Sequence, residues 1–244
     1  MARLQKLFKT LVTSVYKRRF RWKYGNDQYI RRYFGAAFIV NNTDVVAREM
    51  AFGRFEREHI QELLDRLISS PADVFIDIGA NAGLYTCILL QQSAVARVIS
   101  IEPDKRNAQH LRANLFLNDM MDKVEILELA AGREKGLLRL APGPAANTGF
   151  SRIVAKDDPR NAYDVEVAPL DDVISLSGKR IVIKMDVEDH ELEAIAGMTR
   201  LLTQNKVLIQ VEVKKTRIET KRVLSEMGFV LRREYPGDIL MERV

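Results

Sequence analysis

Three groups of residues in this 244-residue chain have the types and spacing to do chemistry. The first is Val74-Phe-Ile-Asp-Ile-Gly-Ala-Asn-Ala-Gly-Leu-Tyr-Thr86, an apolar strand ending in Asp77, a turn, and a helix pattern from Leu84. Glycines at 79 and 83 let the backbone turn sharply and approach a ligand with no Cβ in the way. The second is Glu102, which closes the apolar run Val98-Ile-Ser-Ile101 just before Pro103. There a carboxylate can accept both hydroxyls of a ribose. Gly79-x-x-x-Gly83 is not the G-x-G-x-x-G form of a dinucleotide site. A strand-end acid and the polar Asn81 better suit a cationic, phosphate-free cofactor such as S-adenosylmethionine. An ordinary strand-to-helix turn would also need the glycines, but not Glu102.

The third group is Ile181-Val-Ile-Lys-Met-Asp-Val-Glu-Asp-His-Glu191, an apolar run that ends abruptly in six polar groups. Ligands of open α/β sheets bind beyond the carboxyl ends of the strands, so Lys184, Asp186, Glu188 and His190 belong at the same edge as Asp77 and Glu102. Such a cluster suits proton transfer. His190 is the base by chemical type and Asp186 the base by location, with Lys184 orienting a carboxylate. A helix-cap role is the alternative for His190, and the helix dipole accounts for Glu191. Asp186, Glu188 and Asp189 are oxygen ligands of the kind hard cations take, but no pattern fixes three of them on one centre, and no metal is expected.

The elements around these groups alternate. Strand 73–78, helix 83–92, strand 96–101, helix 104–117 and strand 123–129 are followed by short strands at 136–141, 150–155 and 163–168. Strand 180–186, helix 189–203, strand 206–213, helix 216–227 and a hairpin of 229–235 with 238–243 complete the series. This predicts an α/β fold with a doubly wound, mostly parallel seven-stranded sheet and an antiparallel C-terminal edge strand. Upstream, 33–70 is a lead-in segment within one domain spanning 33–244. In it, Phe38-Ile39-Val40 is expected to pair with Val45-Val46-Ala47, and 55–68 to form an amphipathic helix. Residues 141–149 read as a mobile loop placed to cover a substrate.

Charge separates the first 32 residues from the rest. They hold ten basic residues against Asp27 alone, a net +9, whereas the remainder holds 28 basic and 32 acidic residues. Leu4, Leu7, Phe8, Leu11, Val12 and Val15 fall on one helix face, followed by Tyr16, Phe20, Trp22 and Tyr24. A basic amphipathic arm of this kind suits an anionic membrane surface. A helix packed on the body, or a targeting segment, has the same composition. The single cysteine, Cys87, excludes a disulfide framework and a cysteine zinc site, and points to a reducing, cytoplasmic compartment. The acidic body and the lack of a recognisable RNA-binding module argue against nucleic acid as the partner.

Asp77-Ile-Gly-Ala-Asn-Ala-Gly83, Ser100-Ile-Glu-Pro103, Leu170-Asp-Asp172, Ile183-Lys-Met-Asp-Val-Glu-Asp-His-Glu191, Gly197, the strand Val207–Val213 with Glu212, and Gly228-Phe229 stand in the order of the FkbM family, which this chain resembles over about residues 50–240. The first motif is shared by class I methyltransferases in general; the segment ending in His190 and Glu191 is the specific one. The resemblance implies a Rossmann-like class I methyltransferase sheet and S-adenosylmethionine-dependent methyl transfer to a hydroxyl of a sugar, glycan or related natural product. By the family pattern Asp77, Gly79, Ala80, Asn81 and Gly83 hold the methionine end, Glu102 and Pro103 the ribose, and Ala130 or Ala131 the adenine. Glu56 and Asp186 also reach the cofactor, while Asn147, Gly149, Glu188 and His190 face the acceptor. One departure stands out: the family usually has glycine where this chain has Asp189.

Overall fold

The computed structural model describes residues 28–41, 46, 49, 50, 52–143, 151–155, 158 and 161–244. A hairpin comes first, β1 (Gln28–Tyr33) and β2 (Ala36–Asn41), turned through the left-handed pair Phe34 and Gly35. Phe38-Ile39-Val40 pairs upstream with β1, since two left-handed residues make a tight hairpin turn whose twist matches the strands, and Val45 and Ala47 of the expected partner strand lie outside the described residues. Residues 28–32, expected within the basic arm, form most of β1; the rest of the arm lies outside the described residues.

Then follow α1 (Arg57–Ser69), β3 (Val74–Ile78), α2 (Leu84–Gln92), β4 (Arg97–Ile101), α3 (Lys105–Leu117) and β5 (Val124–Leu127). Four short strands come next: β6 (Ala130–Ala131), β7 (Gly136–Ala141), β8 (Arg152–Val154) and β9 (Tyr163–Ala168). The chain ends with α4 (Leu170–Val173), β10 (Arg180–Met185), α5 (Glu191–Ala196), α6 (Thr199–Thr203), β11 (Lys206–Glu212), α7 (Arg217–Glu226), β12 (Val230–Glu234) and β13 (Asp238–Arg243).

The main sheet has seven strands in the order β12-β13-β11-β10-β3-β4-β5, parallel from β11 through β5. The antiparallel strand is β13, which inserts between β11 and β12, so β12 and not the last strand forms the edge. Both faces are covered. Phe75, Val182, Leu208 and Leu240 pack toward α1, α2 and the hairpin, and Ile76, Ile183, Ile209 and Ile239 toward the opposite layer. That two-sided burial explains the near-continuous apolar runs of β3 and β10.

The expected strand 123–129 ends at Leu127 as β5, and just beyond it β6 joins a second sheet ordered β6-β9-β7-β8. The expected helix 189–203 likewise divides at Gly197. A Cβ there would sit 1.8 Å from the Gly132 carbonyl oxygen, so the chain crosses itself where only glycine fits.

Candidate active site

A cleft enclosing about 620 Å³ of space, open to solvent, lies beyond the carboxyl ends of β3, β4 and β10. Its floor is apolar (Ile78, Ile101, Ala130, Ala131), and Leu140 and Ile153 of the second sheet form a wall. Its polar groups sit at two ends.

At the β4 end, the β3–α2 turn is strapped to its neighbour. The amides of Gly79 and Ala80 both donate to Ile101 O, at 2.9 and 3.0 Å. Asn81, itself left-handed at φ 50°, donates its amide to Glu102 Oε2 at 2.7 Å. Glu102 Oε1 accepts the Asp104 amide at 2.8 Å. Each carboxylate oxygen is thus pinned by a backbone donor, and the Asn107 side chain hydrogen-bonds the same carboxylate. Burial pushes this carboxyl up to about 7 against those two donors. Gly79 is left-handed, and a Cβ on it would lie 1.8 Å from Asp186 O, so the glycine serves the close approach of β3 and β10.

The β10 end is less regular. Asp186 donates its amide to Ile78 O, and two consecutive left-handed residues follow, Glu188 at φ 48° and Asp189 at φ 73°. A left-handed position at 189 accounts for glycine being the residue usual there; in this chain Lys215 pairs with the Asp189 carboxylate. Lys214 pairs with Glu188 at 3.0 Å. His190 opens α5, but its side chain makes no cap hydrogen bond. Its Nε2 is buried, borders the cleft and has no hydrogen-bond partner among the described residues. Burial holds this imidazole below its ordinary value, so it is neutral at pH 7 and can accept a proton. Asp186 is the opposite case. Burial pushes its carboxyl well up, Glu212 and Glu188 add to this, and Lys184 only partly opposes it. That direction runs against Asp186 as the base and leaves His190 as the group the geometry favours.

Several residues expected at the site stand outside the cleft. Asp77 is buried, and its Oδ2 accepts the Thr86 amide at 3.1 Å and the Thr86 hydroxyl at 2.6 Å, fixing the start of α2. Ala80 is buried behind the turn, and a Cβ on Gly83 would meet Leu111 Cδ1 at 2.3 Å, which makes that glycine a packing requirement. Lys184 pairs with Asp238 at 3.2 Å beneath the Tyr85 ring, on the other side of the sheet edge from the floor. Glu56 joins that group, accepting from Tyr85 Oη at 2.9 Å and pairing with His59 at 2.7 Å. Despite burial, His59 and Lys184 bring the Glu56 carboxyl down to about 2, and Glu56 and Asp238 hold His59 up. Glu56, His59 and Asp238 could converge on an ion, but the two carboxylates are already balanced by two cations. Asn147 and Gly149 lie outside the described residues.

The cleft also has linings that motif reading missed, among them Asn107, Ser151, Arg152 and Ile153. Ser151 Oγ donates to Asp104 Oδ2 at 2.7 Å and accepts the Gly143 amide at 2.9 Å, while Arg106 donates to Gly143 O at 3.1 Å. Both ends of the segment read as a covering loop are therefore tied to the start of α3. The strand pattern at 150–155 marks a strand, but nothing in it says which edge that strand folds over.

Residues 77–240 match the family model described as the methyltransferase FkbM domain. The hexuronic acid methyltransferase AglP of Haloferax volcanii is 27% identical over 198 residues, covering 79% of this chain and 77% of that protein. The 2-O-methyltransferase NoeI of Sinorhizobium fredii is 26% identical over 202 residues, covering 72% and 81%. In fold the chain is similar to the solved FkbM methyltransferase of Methylobacillus flagellatus, with a TM-score of 0.52 at 22% identity over 70% of this chain and 43% of that one. A methyltransferase from Geobacter sulfurreducens gives 0.51 at 18% identity over 82% and 86%. With the family domain spanning two-thirds of its length, from the glycine turn to the last strand, this chain belongs to the FkbM methyltransferase family.

Proposed function

We propose that this chain is an S-adenosylmethionine-dependent O-methyltransferase whose acceptor is a hydroxyl of a sugar or a sugar-bearing natural product. The observation that carries the reading is the pairing, in one cleft, of a buried strand-end carboxylate with an unpartnered, neutral imidazole. The lining fits the cofactor. Ala130, Ala131, Ile101 and Leu140 offer apolar surface for an adenine, and Glu102 borders the cleft at the strand end where a carboxylate can accept from a ribose. When bound, S-adenosylmethionine supplies an electrophilic methyl group on a sulfonium. The chain's own part is to align the acceptor, exclude water and take the hydroxyl proton. His190 Nε2 is the group for that proton: neutral, buried and otherwise unbonded. The names of the relatives support an oxygen acceptor on a saccharide, hexuronic acid for AglP and a 2-O position for NoeI.

Calorimetric titration with S-adenosylhomocysteine, with NAD as the control, tests the cofactor. Micromolar binding that is lost in Glu102→Ala supports the reading; no binding to the intact chain removes it. The basic segment 1–32 supports a second part, contact with an anionic membrane surface. Deleting residues 1–27, which leaves β1 whole, should reduce binding to anionic vesicles while cofactor affinity stays, and unchanged vesicle binding removes this part. Among the described residues no helix is long and apolar enough to cross a membrane.

A further inference from the structure

Across the sheet edge from the cleft floor, Glu56, His59 and Asp238 bring three metal-ligating atoms together. Glu56 Oε2 lies 2.7 Å from His59 Nδ1, Asp238 Oδ2 lies 3.7 Å from the same nitrogen, and all three atoms are within 4.8 Å of one another. Ligand atoms on a tetrahedral zinc ion stand roughly 3.3 to 3.5 Å apart, so small shifts would bring these atoms to the spacing an ion needs. Both carboxylates are held from behind, as ligating carboxylates are. Tyr85 Oη donates to Glu56 Oε2 at 2.9 Å. Lys184 and Gln210 donate to Asp238 Oδ1 at 3.2 and 3.0 Å, which leaves Oδ2 as the oxygen near His59. A second observation points to a ligand. Gln210 is 1% exposed; its Nε2 holds Asp238, and its Oε1 is buried with no partner among the described residues. Tyr235, 6% exposed, packs edge-on against the His59 ring with centroids 4.4 Å apart, and its hydroxyl is likewise buried and unpartnered. Two such oxygens beside one cluster are hydrogen-bonding capacity that the described chain does not use.

We propose that Glu56, His59 and Asp238 form a site for a divalent ion of the zinc class, which ties the entry of α1 to the start of β13. His59 is one of the two cations that balance these carboxylates, and its charge is a proton that a metal ion can replace. The N–H bond at Nδ1 breaks, the proton leaves to solvent, and the nitrogen lone pair goes to the ion. Lys184 keeps Asp238 Oδ1 while the ion takes Oδ2. One imidazole nitrogen with two carboxylate oxygens suits Zn²⁺ better than Mg²⁺ or Ca²⁺, which favour oxygen alone. A fourth position is then left for water, and water on the ion can donate to the unused oxygens of Gln210 and Tyr235. None of these residues lines the cleft, so the site stands apart from the methyl-transfer reading. Its role is a clamp between the lead-in segment and the C-terminal hairpin.

The test is calorimetric titration of the full chain, free of any affinity tag, with Zn²⁺ alone and with Mg²⁺ as the control. Zinc should bind one to one at about micromolar affinity or tighter, and Mg²⁺ at about a thousandfold higher concentration should not displace it. At about pH 6, heats measured in buffers of different ionisation enthalpy should show a proton released on binding. His59→Gln keeps a donor for Glu56 but removes the nitrogen ligand, and zinc affinity should fall by about 30-fold or more. Glu56→Gln should lower it by about tenfold or more, so the result does not hang on the folding of one variant. Added zinc should raise the urea midpoint of the intact chain and leave that of His59→Gln where it was. The chain has two other histidines, and His110→Ala and His190→Ala should bind zinc as the intact chain does. Absent zinc binding, heats that do not depend on the buffer, or affinity undiminished in both His59→Gln and Glu56→Gln overturns the proposal. So does binding lost in His110→Ala or His190→Ala, which places the ion elsewhere. If Gln210 and Tyr235 merely bond to buried water, the first of these results is the one obtained.

Discussion

The two ends of the cleft are built on different principles. At the β4 end backbone does most of the holding: two amides on Glu102, to which Asn107 adds its side chain, and the two amides of the glycine turn on Ile101 O. At the β10 end side chains hold side chains: Lys214 on Glu188 and Glu212, Lys215 on Asp189, with two residues in left-handed backbone and His190 Nε2 unbonded among the described residues. Backbone donors are the same whatever the residue, so the first end can be shared by a whole fold class. Side-chain pairs change with single substitutions, so the second end can be altered one residue at a time. On the proposed function the contrast divides the labour: a preorganised cofactor seat, and an acceptor seat open to variation.

The comparison breaks most severely at Gly79, where both ends meet. A Cβ there would stand 1.8 Å from Asp186 O, and the left-handed backbone is strained for any side chain. Gly79→Ala should cost about 3 kcal/mol or more, measured as a lower urea midpoint. An unchanged midpoint would mean that β3 and β10 are not in contact. Next in size is Glu102→Ala, which removes a charged acceptor and strands the Asn81 and Asp104 amides. Cofactor affinity should fall by about 30- to 100-fold, with turnover of the bound complex much less affected. His190→Ala should do the reverse, slowing turnover by about 100-fold or more while cofactor affinity holds within about twofold. If each variant lowered both quantities alike, the two ends would be one site.

The raised Glu102 carboxyl sharpens the same comparison through pH. A ribose diol donates two hydrogen bonds and needs the ionised form. Because burial places the folded value at about 7, the carboxyl is protonated below that pH and ionised above it. Affinity for S-adenosylhomocysteine should therefore rise as pH increases through about 7, by up to tenfold per pH unit on the acid side. The rise should vanish in Glu102→Gln, and a wild-type profile flat from about pH 6 to 8 would contradict the assignment.

How much of this was legible beforehand follows the same division. The main strands and helices could be read because parallel strands buried on two faces are apolar runs, and because glycine turns have few alternatives. Gly79, Asn81 and Glu102 could be placed for the same reason: their partners are backbone at fixed offsets. Asp77 was legible as a motif residue but not as one that turns inward to Thr86, since a strand-end carboxylate can point to a ligand or to its own helix with no change in sequence. The pairing of β1 with β2 was hidden because the turn, Phe34-Gly35, has no proline or asparagine signal, whereas Asn41-Asn42-Thr43-Asp44 downstream has a strong one. Ser151 and Arg152 border the cleft only because the second sheet folds over it.

Asp189 is the smallest and most discriminating test of the variable end. Its φ of 73° is a conformation that glycine adopts freely and that costs an aspartate on the order of 1 kcal/mol. Against that cost stands one ion pair with Lys215, whose side chain is 76% exposed. A pair so exposed is worth at most about 1 kcal/mol, and salt screens it further. Asp189→Gly should thus leave stability level or raise it by up to about 1 kcal/mol, and the gain should grow with ionic strength as the lost ion pair matters less. Urea denaturation at low and high salt reads both terms. A clear loss of stability in high salt would mean that Asp189 is held by more than Lys215, and the β10 end would then be as fixed as the β4 end. A gain accompanied by an altered KM for the acceptor, with cofactor affinity unmoved, would place the departure from glycine where the comparison puts it, in the shaping of the acceptor seat and not in the holding of the fold.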